Sequence, residues 1–551
     1  MERSSFFAKA DPEHRQAGLP GLLLCVATAL LCTATACPAQ NSVNVHIYVD
    51  KPINVMTTQA MGVYTDVYDV GTTKPVIAQY LHAAGIYTLR YPGGYGSYAD
   101  LYHWTTNSGT KYENISPQPE YFYPSESSMA NMTQFLDKLG TAIITVNYGS
   151  NLAGTGGGEP PEAAAWVAYA NSDPASAQVI GKDSTGRDWK TAGYWATLRS
   201  QAPLATDDGL NLLRANHPKP LAIRLWEIGS EVYNNGYYGG DHKAEEDLHA
   251  PYPATDKENE KRRKNANLSP AFYGDRVVEF SRAMKAVDPT ILIGASMNLA
   301  AVDSAWGPEW NSEVLKAACP SIDFESLVWR ADARLGPSYN VMDEAATLQL
   351  PQEQLGKILS EVVYNNKKYC AADHSPRVAF TQMAPIHWAK VEHPVVYGLF
   401  AADAFALLAE SGTINSDWVE LHDPSFLNGS TNQPGPGYYG MQMLHVVAFH
   451  PGDEFVTTGS SNDSLAVHAT RRTDGALGIL FVNKDKASDA VLKVTVSGGS
   501  FSVQGTRFDY GQTNATSGTA VTKSPIKVDG MTFSLTVPPY TITDIVLAKA
   551  Q

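Results

Sequence analysis

The sequence predicts a (β/α)8 barrel carrying a C-terminal antiparallel β-sandwich, and three observations predict it. Between residues 59 and 450, strand-like and helix-like stretches alternate in about eight pairs with glycine-marked turns, the pattern of a parallel sheet. Past Phe455 the texture changes to short alternating strands at close spacing, the pattern of a sandwich. Midway, LAIRLWEIGSEVY (Leu221 to Tyr233) is an apolar run that ends in Glu227, Gly229 and Glu231. Such a run fits a strand buried on both faces, and carboxylates at its end are costly to bury unless paired or used. The C-terminal ends of barrel strands carry active sites, so Glu231 is the first candidate for a working acid. Its plainer reading is a solvated strand-to-loop turn.

Taken in order, residues 1–39 hold Arg3, Lys9 and Arg15, then an apolar stretch too short to span a membrane, then Ala34, Ala36 and Ala39. This is the layout of a signal peptide cleaved after Ala36 or Ala39, and it predicts a secreted or periplasmic protein. Cys37 offers a lipid anchor as an alternative, although Ala34 stands where a large aliphatic residue is expected. Residues 40–58 contain VNVHIYV, a strand assigned to the sandwich. The barrel strands are expected at Met61–Tyr68, Tyr87–Pro92, Ala142–Tyr148, Leu221–Trp226, Ile291–Ala295, Ile322–Trp329, Val378–Met383 and Ile414–His422. Helical spacing marks Pro75–Ala84, Met129–Leu139, Pro161–Tyr169, Pro270–Val287, Glu313–Ala318, Gln354–Tyr369, Val395–Glu410 and Gly440–Phe449. Residues 171–220 and 236–267 read as elaborated loops, with the charge run KENEKRRKN as a solvated segment. Residues 451–551 supply the sandwich, in stretches such as SLAVHATRR, LGILFVNKD and IKVDGMTFSLTV.

Composition bounds the function. The chain has 551 residues, enough for a large barrel plus a second domain. With 44% hydrophobic and 18% charged residues it reads as a globular protein with no membrane span after the signal. The net charge of −15 argues against nucleic acid as a partner, because phosphates are repelled. No CxxC or His-x-x-His pattern suggests a metal, and no cofactor motif is present. Cys319 and Cys370 are free to pair in an oxidising compartment, but spacing does not fix the connectivity. Oligomeric state is not legible.

Several segments together resemble secreted α-L-arabinofuranosidase-like proteins of the retaining glycosidase clan built on a (β/α)8 barrel. They are RYPGG (Arg90 to Gly94), ITVNYG (Ile144 to Gly149), WEIGSEVYNNGYYG (Trp226 to Gly239), YYGMQML (Tyr438 to Leu444) and VPPYTITDIVL (Val537 to Leu547). The resemblance implies an oligo- or polysaccharide partner and hydrolysis of O-glycosyl bonds in plant-type polysaccharide. It places the acid/base at Glu231, with Ser230 where the family has Asn. It places the nucleophile after Thr381, where this chain has Gln382. The family's sixth strand ends His-Trp-Tyr; here it reads Val328, Trp329, Arg330.

Retaining hydrolysis needs two carboxyl groups, and Gln has the shape of Glu without its charge. Gln382 therefore opens a second reading, a carbohydrate-binding protein on a degenerate glycosidase barrel. A third is a scaffold protein whose cleft takes nothing. Arg90, Asn147 and Ser230 are candidates for bonds to sugar hydroxyls or to Glu231. Trp329 and Trp418 are candidate stacking platforms or ordinary core. If the eighth strand is regular, Trp418, Glu420 and His422 share one face, and Glu420 faces the cleft. The favoured plain reading of Glu420 is a mouth residue paired with an arginine.

Overall fold

In the computed structural model the described residues are 42–93, 102–109, 123–234, 247–250, 265–299, 309–331, 341–385 and 390–550. The signal segment, Cys37, most of the KENEKRRKN run, His387 and Trp388 lie outside them.

Eight strands close into a barrel: Met61–Asp66, Thr88–Gly93, Thr141–Val146, Leu225–Ile228, Leu292–Met297, Phe324–Ala331, Arg377–Pro385 and Asn415–Trp418. Every neighbouring pair is parallel, and the eighth strand pairs with the first. The fold class read from the sequence is the one observed. The strands are buried on both faces, which is why they read as apolar runs and not as alternation.

The fourth strand begins at Leu225, later than expected. Leu221 bonds through its N–H to the Ala170 carbonyl, and Ala222 has a left-handed φ of 55°, so the chain turns before it pairs. The eighth strand stops at Trp418, four residues earlier than expected. Residues 171–220 are not all loop: Ala192–Ser200 is a helix, N-capped by the Thr191 hydroxyl, which accepts from the Tyr194 N–H. Cys319 and Cys370, each just past the C-terminal end of a helix, form a disulfide.

Tyr102–His103 and Ser108–Gly109 pair as a short two-stranded sheet, and the other described strands form one nine-stranded sheet over a separate apolar core. Val43–Val55 lies inside it, antiparallel to Glu454–Ser460 and parallel to Ala490–Ser497. The stretch IKVDGMTFSLTV divides into Thr522–Lys527 and Thr532–Val537, which form opposite edges of the sheet. Gly530, at φ 107°, sits in the turn that separates them.

Candidate active site at the barrel mouth

The fourth strand supplies two carboxylates with different surroundings. Glu227, still on the strand, points into the barrel and is 1% exposed. Its Oε2 accepts from Arg90 Nε at 2.9 Å, Arg90 Nη2 at 2.7 Å and Thr145 Oγ1 at 2.7 Å. Its Oε1 accepts from the Ser326 hydroxyl and, at 3.3 Å, from that of Thr381. A buried ion pair of this kind is tolerable because hydrogen bonds satisfy both partners.

Past Ile228 the chain turns through Gly229 at φ 68° and reaches Glu231 at φ 50°. A left-handed glutamate is uncommon, and such backbone strain gathers at functional sites. The turn is held from the helix Pro270–Val287 and the fifth strand: Tyr273 on the helix donates its hydroxyl proton to the Ile228 carbonyl, and the Val232 N–H donates to Ser296 Oγ on the strand. Glu231 is 6% exposed. Its Oε1 accepts from Arg330 Nη2 at 3.0 Å and its Oε2 from Asn234 Nδ2 at 3.2 Å.

The same Arg330 nitrogen reaches Gln382 Oε1 at 3.4 Å. Arg330 thus bridges the ends of the fourth and seventh strands, and Glu231 and Gln382 stand at one end of the barrel. Gln382 is 2% exposed, and its Nε2 is a buried donor with no acceptor among the described residues.

Glu420 completes the rim. The Val419 N–H donates to the Met383 carbonyl and the Leu421 N–H to that of Tyr64, so Glu420 is held between the first strand and the seventh, at the residue that follows Gln382. Its half-buried carboxyl is raised to about 7, first by burial, then by Asp66, Asp423 and Asp69, against the pull of Arg330. Burial also raises Asp66. Burial would raise Asp69 too, but its bond to His422 brings it below the usual range.

Other expected site residues lie elsewhere. Arg90 is fully buried beneath the mouth and is committed to Glu227 and Ser230; its Nη2 donates to Ser230 Oγ at 2.9 Å. Asn147 donates to the Tyr102 carbonyl and the Ser150 hydroxyl, so it braces a loop. Both tryptophans are corrected to core. Trp329 is 3% exposed, stacks on Phe400 and donates to Gln354 Oε1 at 2.9 Å. Trp418 is 0% exposed, between Phe405 and Phe426. The inward position on the eighth strand belongs to Asp417, which faces Arg90 and Glu227. The expected common face of Trp418, Glu420 and His422 therefore does not form, because the strand ends before it can alternate that far. His422 has both ring nitrogens engaged, by Asp69 and by Asn432 Oδ1 at 3.1 Å, and it ties down the loop after the first strand.

Two partners had not been singled out as site residues: Arg330, noticed only as a departure from the resembling family, and Glu227. The visible signal for Glu227 was a second carboxylate four residues before Glu231. Among the described residues one grouping has metal-ligand geometry, Glu344, Glu392 and His393. Glu344 is already occupied there, accepting from two backbone N–H groups and contacting the His393 ring.

No family model matches the chain, and no curated protein matches it by sequence. Solved structures do. An α-L-arabinofuranosidase from Thermotoga maritima superimposes with a TM-score of 0.63 at 18% identity, covering 92% of this chain and 99% of that one. This chain has the fold of the arabinofuranosidases. A family 51 α-L-arabinofuranosidase from Bifidobacterium longum gives a TM-score of 0.65 at 14% identity, with 92% and 99% coverage. A family 44 endoglucanase from Clostridium thermocellum gives 0.61 at 15%, with the same coverage. The arabinofuranosidase fold is thus shared with glucanases, and the barrel scaffold is that of glycoside hydrolases.

Proposed function

We propose that the chain is an exported carbohydrate-active protein whose barrel mouth takes pentose-containing plant-type saccharide, with Glu231 as a working carboxylate and the covalent retaining route closed at Gln382. The Arg330 bridge carries this reading, since it sets an acid and an amide side by side where the retaining reaction needs two carboxyl groups. The glycosidase fold supports the ligand class. The signal-like N-terminus and the Cys319–Cys370 disulfide support export.

Calorimetric titration with arabino- and xylo-oligosaccharides tests the cleft, and a 2-fluoro arabinofuranoside tests the route. The native chain binds saccharide and gives no covalent adduct by mass spectrometry, whereas Gln382→Glu gives one. Flat titrations sink the reading of the cleft, and an adduct on the native chain sinks the closed route. A purely binding protein is the second reading, favoured by the neutral Gln382 amide.

A further inference from the structure

The mouth holds a second carboxyl group for which the closed retaining route has no use. Glu420 is fixed on the rim by the backbone hydrogen bonds of its two neighbours, Val419 to the strand that bears Gln382 and Leu421 to the first strand. The charged groups that act on it are Asp66 at the end of the first strand, Asp69 beyond it, Asp423 after the eighth and Arg330 from the sixth, with the His422 ring bonded to Asp69. Negative neighbours outnumber positive ones, which favours holding a proton on Glu420. Glu231 has the opposite surroundings, with one oxygen facing a guanidinium and the other an amide N–H. Gln382, which shares Arg330 with Glu231, has a buried Nε2 with no acceptor among the described residues, a neutral donor suited to a sugar oxygen.

We infer that Glu420 and Glu231 work as an acid–base pair for single-displacement hydrolysis, with Glu420 donating the proton and Glu231 accepting one. This rests on the saccharide cleft proposed above. A water oxygen bonds to the anomeric carbon as the glycosidic C–O bond breaks. The departing oxygen keeps the bonding electrons and takes the proton of Glu420. Glu231 takes a proton from the attacking water, and both groups then re-equilibrate with solvent. No nucleophilic side chain is needed, so Gln382 is no obstacle, and the product is inverted. The near-neutral titration of Glu420 suits a donor at ordinary pH.

The test uses the full chain with aryl α-L-arabinofuranosides of graded leaving-group acidity. Proton NMR at early times shows the inverted β-anomer first. Glu420→Gln loses roughly 100-fold or more on poor leaving groups and under about 10-fold on the 2,4-dinitrophenyl glycoside, which needs no protonation. Glu231→Gln loses a similar factor across the whole series. Thermal melts confirm that both variants fold, and the stereochemistry needs no variant. Retention overturns the inference, as does an unchanged leaving-group dependence in Glu420→Gln. Saccharide binding without turnover of any glycoside also overturns it, yet leaves the cleft reading standing. Neither binding nor turnover ends both.

Discussion

Glu227→Gln removes the negative partner of a guanidinium that is itself 0% exposed, and leaves Arg90 charged inside the barrel. Breaking a buried pair on one side costs about 3–5 kcal/mol, so urea unfolding of Glu227→Gln is expected to show a loss in that range. The double variant Arg90→Met/Glu227→Leu should lose less than the sum of its single changes, because no lone charge remains. A loss under about 1 kcal/mol in Glu227→Gln would mean that the Thr145, Ser326 and Thr381 hydroxyls hold the guanidinium's surroundings together unaided. At this scale local pattern disclosed Glu231, a carboxylate at a strand end, whereas Gln382 was marked out only by the family resemblance. Neither disclosed that one Arg330 nitrogen meets both, since that contact joins residues far apart in the chain across a closed barrel.

The eighth strand shows how far periodicity carries at the scale of an element. It was legible as the last strand, and its place beside the first follows from barrel closure. Its facing was not legible, because both faces are buried and apolar alternation gives no signal. Asp417 turns inward only because Gly62, opposite it on the first strand, has no side chain: a Cβ there would lie 1.8 Å from Asp417 Oδ1. Trp418 then turns outward onto the helices, where Gly437 makes room for it. Gly62→Ala should therefore displace Asp417 and cost about 1–3 kcal/mol, the usual range for overpacking. Adding Asp417→Ser should recover most of that loss in a thermal melt. If the pair is no more stable than Gly62→Ala alone, the crowding lies in the strand backbone and not in the carboxyl.

At the scale of the whole molecule, several buried ionisable groups favour their protonated form. Burial raises Glu325 to about 8 and holds Asp417 and Asp544 well above the usual carboxylate range, so it favours the protonated form of all three. Where the sheet domain meets the barrel, His468 lies against Asp403 and Glu410. Burial alone would lower it, but those carboxylates raise it to about 10. Each of these folded values exceeds the unfolded one. Their contributions are complete below the unfolded pKa, roughly 4 for the carboxyls and 6.5 for the histidine, and fade as pH rises through the folded value. Asp403 works the other way. Burial would raise it, but Lys484 and His468 hold it at about 2, so its contribution disappears only in strong acid. Stability should thus be greatest near pH 4, and the melting temperature should fall steadily from there to pH 9.5. Glu325→Gln, which keeps the neutral form at every pH, should fall less between pH 4 and about pH 8, where the unfolded carboxyl is ionised and the folded one is not. A melting temperature that holds level or rises to pH 9, or a Glu325→Gln curve parallel to the native one, would show that these carboxyls ionise in the fold at no cost and that water reaches them.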